Sequence, residues 1–517
     1  MSGARRLSRG GLIDRSKIIK FRFNGKAYTG HPGDTLASAL LAQGVRLFGR
    51  SFKYHRPRGV VGAGAEEPNA LVQVGEAGYS TPNLRATQVE LYDGLSAQTV
   101  NGWPSLKHDV GAINSMFSRI LPAGFYYKTF MWPRSAWMRY EHFIRKAAGL
   151  GRTPELPDPD IYDKRHIHCD ILVVGAGPSG LIAALTAARS GARVVLADEQ
   201  AQFGGSLLCT SSTIGGLRAV DWVKKMVDEL RTFSEVKLLN RSTVAGYFDH
   251  NFLTINERRT HHLASGDSDP RMSRERLWRV RAGEVILATG AIERPLVFDG
   301  NDLPGVMLSS AVTTYIRRYA VAPGKTGVVF TNNDSGYQAA IDMAWAGMEV
   351  IAIVDSRRSP GTSVVKEAEA LGIPIYKGHV ISSARSGSEG LNRVELSTWC
   401  RSTGELTAHK GMIDCQVLAL SGGLSPVVHL HSQSGAKPVF DSHVAAFLPG
   451  ASVQKERSVG ACNGTFDLGD CFREGIQGAL AAANVRGFSA IGVDIPATDH
   501  KQHAPIEALW EVPSNIL

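Results

Sequence analysis

The chain has 517 residues, too many for one ordinary hydrophobic core, and this length predicts about two to four domains. Its apolar fraction of 43% and its 55 glycines are typical of a soluble α/β protein and exclude a largely disordered chain. The net charge is +9, but the basic residues are dispersed and form no lysine-rich tail or recognition helix, so we expect no nucleic-acid partner.

The N-terminus and the cysteines bear on location and metal binding. Residues 1–15 contain several arginines but lack the apolar segment of a secretory signal, and no apolar run is long enough to cross a bilayer. We therefore expect a cytoplasmic protein with no membrane partner. The six cysteines form no CxxC pair and no close cluster with histidine, so we expect no metal site and interpret them as buried small side chains.

Residues 1–105 have the pattern of a β-grasp domain. An alternating strand over 18–24 turns back at Gly25, and a helix is expected to begin near Asp34. A ferredoxin of this shape holds its cluster with four thiolates. Because the first cysteine of the chain is Cys169, we expect a ferredoxin-like domain that has no cysteine-ligated cluster.

Two stretches beside these elements are rich in basic or aromatic side chains. The loop 49–59 is basic, and we interpret it as a solvated loop or a clamp on neighbouring backbone rather than a ligand site. Residues 106–165 form a connecting segment dense in aromatic residues, which indicate core or subunit-contact packing. These residues are Phe125, Tyr126, Tyr127, Phe130, Trp132, Trp137, Tyr140 and Phe143.

Residues 166–300 form the first part of a first dinucleotide-binding domain. Within 171–197 a strand, a glycine-rich loop, an alanine-rich helix and a second strand follow one another. Each glycine of the loop has a physical task. Gly175 permits the tight turn, Gly177 lets the backbone approach a pyrophosphate, and Gly180 lets the helix pack closely on the sheet.

The residues around this loop complete the predicted cofactor site. Amides at the helix start favour phosphates, and Asp198 lies at about the 20-residue distance expected of the acid that binds ribose hydroxyls. A carboxylate there repels a 2′-phosphate, so we expect NAD or FAD rather than NADP. Glu199 follows, but strand alternation is expected to aim it elsewhere. The candidate cofactor-binding residues are Gly175, Ala176, Gly177, Pro178, Ser179, Gly180, Asp198, Glu199, Gly204, Gly205, Ser206, Thr289 and Gly290.

A second strand–helix–strand unit falls within residues 301–410. Its loop, 331–336, lacks two of the three fingerprint glycines, and Asp334 would face a phosphate with like charge. We therefore expect a folded but degenerate nucleotide-binding-like domain. A working nicotinamide site at this loop remains an alternative.

Residues 411–490 are predicted to form the second part of the first dinucleotide-binding domain, and 491–517 a C-terminal tail. The strand 417–420 and two glycine-rich turns are expected to return the chain to the first sheet. The pattern assigns no catalytic residue. His429 and His431 stand apart from other reactive side chains and are interpreted as structural.

Several of these runs together resemble the alpha subunit of heterotetrameric sarcosine oxidase, and the resemblance extends nearly end to end. The runs that carry it are 11–17, 49–59, 123–130, the fingerprint at Gly175, 288–295, 301–307, 331–336 and 421–426. The resemblance implies a flavoprotein-like, Rossmann-type fold with two dinucleotide-binding domains. It also implies that NAD, or alternatively FAD, binds at the first fingerprint.

What the resemblance implies about function involves other chains. A beta subunit would carry FAD and oxidise sarcosine or a related N-methyl amino acid, and an FMN at the interface of alpha and beta would pass electrons to oxygen. Gamma and delta subunits would complete the heterotetramer. The chain is thus expected to belong to an oxidoreductase that acts on CH–NH donors and to be active in the complex.

The chain departs from the family pattern where it stops, soon after 509–513, because the family's folate-binding domain would begin about there. We therefore expect folate chemistry to be absent from this chain. Two other functions remain open. The chain could be the FAD-binding subunit of an opine or amino acid oxidase or dehydrogenase, or a non-catalytic structural subunit with a stabilising nucleotide.

Overall fold

The structure is a computed structural model. It describes residues 4–118, 132–264, 267, 269–400, 402–489, 491–499 and 504–513. Within these residues, no helix combines the length and the apolar character that a bilayer crossing requires.

The helices and strands are numbered in chain order. The N-terminal part contains β1 (Ile19–Phe23), β2 (Lys26–Gly30), α1 (Leu36–Ala42), β3 (Gly49–Arg50), β4 (Pro57–Arg58), β5 (Leu71–Val74), β6 (Thr81–Arg85), β7 (Ser96–Thr99) and α2 (Trp137–Ala148). Next come β8 (Tyr162–Val174), α3 (Pro178–Arg189), β9 (Val194–Ala197), β10 (Thr213–Ile214), β11 (Leu217–Arg218), α4 (Ala219–Leu230), β12 (Val236–Leu239), β13 (Ser242–Phe248), β14 (Phe252–Arg258) and β15 (Glu275–Leu287).

The second half of the chain continues this numbering. It begins with β16 (Ala291–Glu293), β17 (Val306–Leu308), α5 (Ser309–Arg317), β18 (Thr326–Thr331), α6 (Ser335–Trp345), β19 (Glu349–Asp355), α7 (Ser363–Ala370), β20 (Ile375–Lys377), β21 (His379–Gly387), β22 (Gly390–Cys400), β23 (Glu405–Asp414), β24 (Val417–Ser421) and β25 (Leu424–Pro426). It ends with α8 (His429–Gln433), β26 (Val439–Asp441), β27 (Ala446–Leu448), β28 (Glu456–Ser458) and α9 (Leu468–Val485).

The N-terminal part is a β-grasp domain, as predicted. Its five-stranded sheet has the order β2-β1-β7-β5-β6. Side chains of β1 alternate between buried and exposed, and the sheet covers α1, whose residues are all buried. Thr35 caps α1 through a capping box with Ser38. The apolar core of this domain is continuous with the core around α5 and α6, so the domain packs against the second dinucleotide-binding domain.

A buried glutamate organises the long loop between α1 and β5. The carboxylate of Glu67 accepts hydrogen bonds from the amides of Val61 and Gly62 at 2.7 and 2.8 Å and from those of Asn69 and Ala70 at 2.7 and 3.1 Å. The residue is 1% exposed. Burial raises the pKa of Glu67, and the four hydrogen bonds from backbone amides oppose this rise.

The basic loop 49–59 binds neighbouring parts of the chain. The guanidinium of Arg50 donates to the carbonyl of Leu106 at 2.8 Å. Arg56 and Arg58 both form ion pairs with Asp302, at 2.5 and 2.6 Å. The interpretation of this loop as a clamp agrees with these contacts.

The connecting segment exposes large apolar side chains. Trp132 is 85% exposed and Phe143 on α2 is 69% exposed, so these two residues do not form a core within the chain. Their assignment to a contact between subunits stays a prediction. Phe125, Tyr126, Tyr127 and Phe130, together with the run 123–130, lie outside the described residues.

The first dinucleotide-binding domain is built on a seven-stranded sheet. Its order is β12-β9-β8-β15-β14-β13, and β28 pairs with β15. The strands β12, β9, β8, β15 and β28 run parallel to one another, whereas β14 is antiparallel to both β15 and β13. Apolar faces of α3, α4 and α9 cover one side of the sheet. The α/β fold class with a Rossmann-type domain is therefore confirmed.

The second dinucleotide-binding domain has the sheet order β17-β24-β18-β19-β20, and it carries a separate three-stranded sheet, β21-β22-β23. This order corrects one prediction. The run 417–420 does not return to the first sheet but forms β24, which pairs in parallel with β17 and β18. All five residues of β24 are buried, so its composition fits either sheet equally well. The return to the first sheet occurs later, at β28.

Glu67 provides a test of how the β-grasp loop is held. In Glu67→Gln the amide nitrogen cannot accept hydrogen bonds, so two of the four loop amides lose their acceptor. We expect a loss of stability of about 2–4 kcal/mol. Thermal unfolding followed by differential scanning fluorimetry measures the change. The matched control is Glu76→Gln, because Glu76 is exposed at a turn of the same domain. Equal unfolding temperatures for the two variants would contradict the assignment.

Candidate nucleotide-binding site

The glycine-rich loop joins β8 to α3 at the carboxyl end of the first sheet. Gly175 has φ +95°, and a Cβ atom there would lie 2.3 Å from the carbonyl oxygen of Ala288. A Cβ atom on Gly180 would lie 1.9 Å from the carbonyl oxygen of Gly175. These two positions therefore require glycine, as the sequence predicted.

The N-terminus of α3 is open to a ligand. Gly177 is the N-cap residue and Pro178 begins the helix, and no side chain among the described residues caps it. A Cβ atom on Gly177 would meet nothing within 4 Å. The first amides of an α-helix have no partner within the helix, and they attract anionic groups. Free space and unpaired helical donors thus occur together at this point.

Asp198 lies beside the loop, directly after β9. Its carboxylate accepts hydrogen bonds from the amides of Ala176 and Gln200 at 2.7 and 2.8 Å. Burial raises the pKa of Asp198, and these two bonds oppose the rise. Each carboxylate oxygen has a second lone pair, so the group can hold the loop and still accept from a ribose hydroxyl.

Glu199 departs from its expected orientation. The residue lines a cavity of about 840 Å³, although strand alternation predicted that it would point elsewhere. Because β9 ends at Ala197, the alternation of a strand no longer governs this position. Burial, followed by the charge of Asp198, raises the pKa of Glu199.

The other predicted residues surround the same loop. The amide of Gly204 donates to the carbonyl of Ala176 at 2.8 Å, and a Cβ atom on Gly205 would lie 3.0 Å from Gly177 Cα. Ser206 lines the cavity. Ser179, by contrast, is buried, and a Cβ atom on Gly460 would lie 2.1 Å from its Oγ. The structure therefore places the Ser179 side chain against the loop that precedes α9.

The turn after β15 closes this region from the other side. The hydroxyl of Thr289 donates to the carbonyl of Val427 at 2.8 Å, which joins the turn to the segment that follows β25. A Cβ atom on Gly290 would meet nothing within 4 Å. A Cβ atom on Gly175 would lie 3.4 Å from Thr289 Cα, so this turn lies directly beside the loop.

A cavity of about 840 Å³ lies beside the loop, between the β-grasp domain and the two dinucleotide-binding domains. Its lining includes charged residues that the sequence analysis did not select: Glu66, Glu90, Arg241, Arg258, Glu293 and Arg318. Arg318 donates to the side chain of Gln200 at 2.6 Å. One signal could have identified Arg241, because it follows β12, a parallel strand, and ligands bind beyond the carboxyl ends of such strands.

Two ionisable side chains of the cavity have pKa values that burial raises. Glu293 accepts hydrogen bonds from the hydroxyl of Ser309 and from the amide of Ser310 at the start of α5, and burial raises its pKa. Cys209 lies near Thr314, whose hydroxyl donates to its sulfur at 3.4 Å. Burial likewise raises the pKa of the Cys209 thiol, which disfavours the nucleophilic thiolate.

The loop of the second domain has a different environment. The side-chain amide of Asn332 donates to the carbonyls of Glu507 and Leu509, both at 2.9 Å. Asp334 forms an ion pair with Arg357 at 2.9 Å and accepts from the amide of Ala504 at 2.7 Å. The C-terminal segment therefore covers the position where a nucleotide phosphate would bind. This arrangement supports the prediction of a degenerate site.

The acid at the end of β19, Asp355, also binds side chains within the chain. Asp355 forms an ion pair with Arg357 at 2.8 Å, and it accepts from the hydroxyl of Tyr337 at 2.8 Å.

Elsewhere, His431 is buried between the carboxylate of Glu456, at 2.8 Å, and the amide of Gly450, at 3.1 Å. Its structural interpretation agrees with these contacts.

Two protein families match parts of the chain. Residues 170–261 match the family described as FAD dependent oxidoreductase. This range includes the glycine-rich loop and Asp198. Residues 16–102 match the family described as 2Fe-2S iron-sulfur cluster binding domain. The matched range contains no cysteine, since the first is Cys169, so this β-grasp domain has no thiolate with which to hold a cluster.

The L-proline dehydrogenase from P. horikoshii has a similar solved structure, with a TM-score of 0.61. The match covers 94% of this chain and 77% of that chain at 18% identity, so it supports the fold alone. One of the opine oxidase subunits of Agrobacterium tumefaciens (strain Ach5) is 30% identical over 196 residues, which cover 37% of each protein.

The sarcosine oxidase alpha subunits match nearly the whole chain. That of Rhizobium meliloti (strain 1021) is 45% identical over 510 residues, which cover 98% of this chain and 50% of that protein. That of Corynebacterium sp. (strain P-1) is 37% identical over 97% of this chain and 47% of that protein. The chain spans about half the length of these relatives. The predicted resemblance is therefore confirmed: the chain is similar, over nearly its whole length, to about half of a sarcosine oxidase alpha subunit.

Proposed function

We propose that the first glycine-rich loop binds the ADP part of NAD. The observation that carries this proposal is the uncapped N-terminus of α3, with open space over Gly177. Asp198, at the end of the neighbouring strand, would accept from the ribose hydroxyls of the nucleotide. Ala176, Gly204 and Gly205 would hold the loop in the shape that admits the pyrophosphate.

FAD is the alternative ligand at this loop, because the two dinucleotides share their ADP part. The match of residues 170–261 to an FAD-dependent family supports it. The nucleotide that co-purifies with the chain shows which of NAD and FAD it binds. Denaturation followed by chromatography and mass spectrometry of the released nucleotide distinguishes NAD from FAD, and the release of neither would refute both assignments.

We infer further that the chain is the alpha-type, nucleotide-binding subunit of a sarcosine-oxidase-like complex that demethylates sarcosine or a related N-methyl amino acid. The 45% identity over nearly the whole chain supports this role. In such a complex the beta subunit carries FAD and oxidises the amine, FMN lies at the interface, and gamma and delta subunits complete the assembly. A bound NAD or flavin could accept or donate a hydride, while the residues described here bind and orient it.

A second candidate function is that of an FAD-binding subunit of an opine or amino acid oxidase or dehydrogenase. The similarity to one of the opine oxidase subunits supports it. A yellow chain with a flavin spectrum, purified without other subunits, would favour this function. In a third function the nucleotide only stabilises a structural subunit. The loss of nucleotide from an assembled complex would then leave amine turnover unchanged.

Gly177→Val tests the binding loop. Its Cβ atom meets nothing in the folded chain, so the substitution should leave the fold intact, whereas the added methyl groups would occupy the space of a pyrophosphate. We expect binding of NAD or FAD to weaken by roughly a hundredfold or more, which corresponds to the loss of about two charge-assisted hydrogen bonds. Isothermal titration calorimetry measures this loss.

The control for this experiment is Gly361→Val. Gly361 is exposed, a Cβ atom there would meet nothing within 4 Å, and it belongs to the second dinucleotide-binding domain, just before α7. We expect this variant to bind nucleotide as the unmodified chain does. Tight binding by Gly177→Val with an unchanged melting temperature would refute the proposed site.

Amine oxidation is predicted to depend on other subunits. We expect the isolated chain to show no amine oxidation, because the proposed role places that step in the beta subunit and because burial raises the pKa of the Cys209 thiol, which disfavours a nucleophilic thiolate in the cavity. Coexpression with a flavin-bearing beta-type subunit should produce sarcosine-dependent oxygen consumption. An oxygen electrode measures both samples. Turnover by the isolated chain would contradict the assignment of amine oxidation to the beta subunit.

A further inference from the structure

The adenosine end of the proposed site lies beyond the carboxyl ends of β9 and β12. There the amide of Ser242 donates to the carbonyl of Asp198 at 2.7 Å, and the amide of Arg241 donates to that of Gln200 at 2.9 Å. Nucleotides bind outside the carboxyl ends of parallel strands. The position of Arg241 is therefore close to the acid that would bind the ribose.

The β-grasp domain reaches this same point. Glu90 and Arg241 form a two-bond ion pair, with Nε to Oε1 at 2.5 Å and Nη2 to Oε2 at 2.6 Å. The side chains are 25% and 21% exposed, so the pair is largely shielded from water. Glu90 lies in a rigid segment, because the carbonyl of Val89 accepts from the amide of Leu36 and the amide of Leu91 donates to the carbonyl of Asp34.

A second guanidinium secures the same segment. Arg258 donates to the carbonyl of Glu199 at 2.8 Å and to that of Gln88 at 3.5 Å. Its amide also donates to the carbonyl of Arg241 at 3.0 Å. The β-grasp domain is thus attached directly to the residues that follow β9, and its residues Thr87, Gln88 and Glu90 line the cavity.

The charges at this end determine which ribose it can accept. The backbone of Arg241 lies next to the residues that follow β9, and an unpaired arginine side chain at this position would attract a 2′-phosphate. His262 lines the same end, and its Nδ1 has no partner among the described residues. Burial, followed by the charge of Arg241, lowers the pKa of His262, so the imidazole is neutral and does not add a second positive charge near pH 7.

We propose that Glu90, although it belongs to the β-grasp domain, determines the nucleotide selectivity of the first dinucleotide-binding domain. Through the two-bond ion pair, Glu90 neutralises Arg241 and turns its donors away from the ribose. The site then presents carboxylates to the 2′ position and accepts a hydroxyl there. This inference rests on the proposed function, because it concerns the same nucleotide site.

The test compares the binding of NAD and NADP to the full chain and to Glu90→Gln, by isothermal titration calorimetry. Glutamine keeps the shape of the side chain but removes its charge, which leaves the Arg241 guanidinium without its negative partner. We expect the ratio of the two dissociation constants to shift toward NADP by about tenfold, the effect of roughly one charge-assisted hydrogen bond. In the double variant Glu90→Gln/Arg241→Gln the ratio should return to that of the unmodified chain.

The matched control is Asp299→Asn. Asp299 forms an ion pair with Arg385 at 3.0 Å, and the two residues line a separate cavity beside β21 and β22. This variant should leave the ratio unchanged. If Glu90→Gln weakens NAD and NADP equally, Glu90 has a merely structural role and the inference is overturned. An unmodified chain that binds neither nucleotide overturns the proposed function as well, whereas tight NAD binding with an unmoved ratio overturns this inference alone.

Discussion

The first amides of α3 need an acceptor, and the described part of the chain provides no side chain for that purpose. Gly175 and Gly180 bring the helix so close to β8 and β15 that these donors point into open space. Asp198 then holds Ala176 and Gln200 by their amides, which fixes the loop while its remaining lone pairs stay available. The proposed choice of ligand depends on this uncapped helix end, and the cavity lies beside it, with Gly205 and Ser206 in its lining.

The second domain shows what happens when the same topology loses this feature. Its loop begins after a parallel strand and leads into α6, as the first loop leads into α3. There the amide side chain of Asn332 binds the carbonyls of Glu507 and Leu509, and Arg357 pairs with Asp334 and Asp355. The side chains of Asn332, Asp334 and Asp355 thus bind groups within the chain. Loss of glycine and gain of internal partners therefore occur together, as expected if buried polar groups must be paired.

The sequence pattern predicted individual strands and helices, because these depend mainly on residues that are close in the chain. The strand 194–197 coincides with β9, because four buried apolar residues between a glycine turn and an acid leave no other assignment. The run 417–420 was placed in the wrong sheet, since a strand buried on both faces carries no mark of its neighbours. The pair of Glu90 and Arg241 could not be predicted at all. It joins residues 151 positions apart, in two domains whose relative placement depends on the whole fold.

The β-grasp domain has a role in this fold that its family match does not suggest. Without cysteine it cannot carry a cluster, and the loop where most cluster ligands would lie is held by the carboxylate of Glu67 through four amides. That loop no longer depends on a bound group for its shape. A domain of fixed shape, whose core is shared with the second domain, can serve as a wall. Glu90 is part of that wall, and its ion pair with Arg241 joins the domain to the region of the proposed nucleotide site.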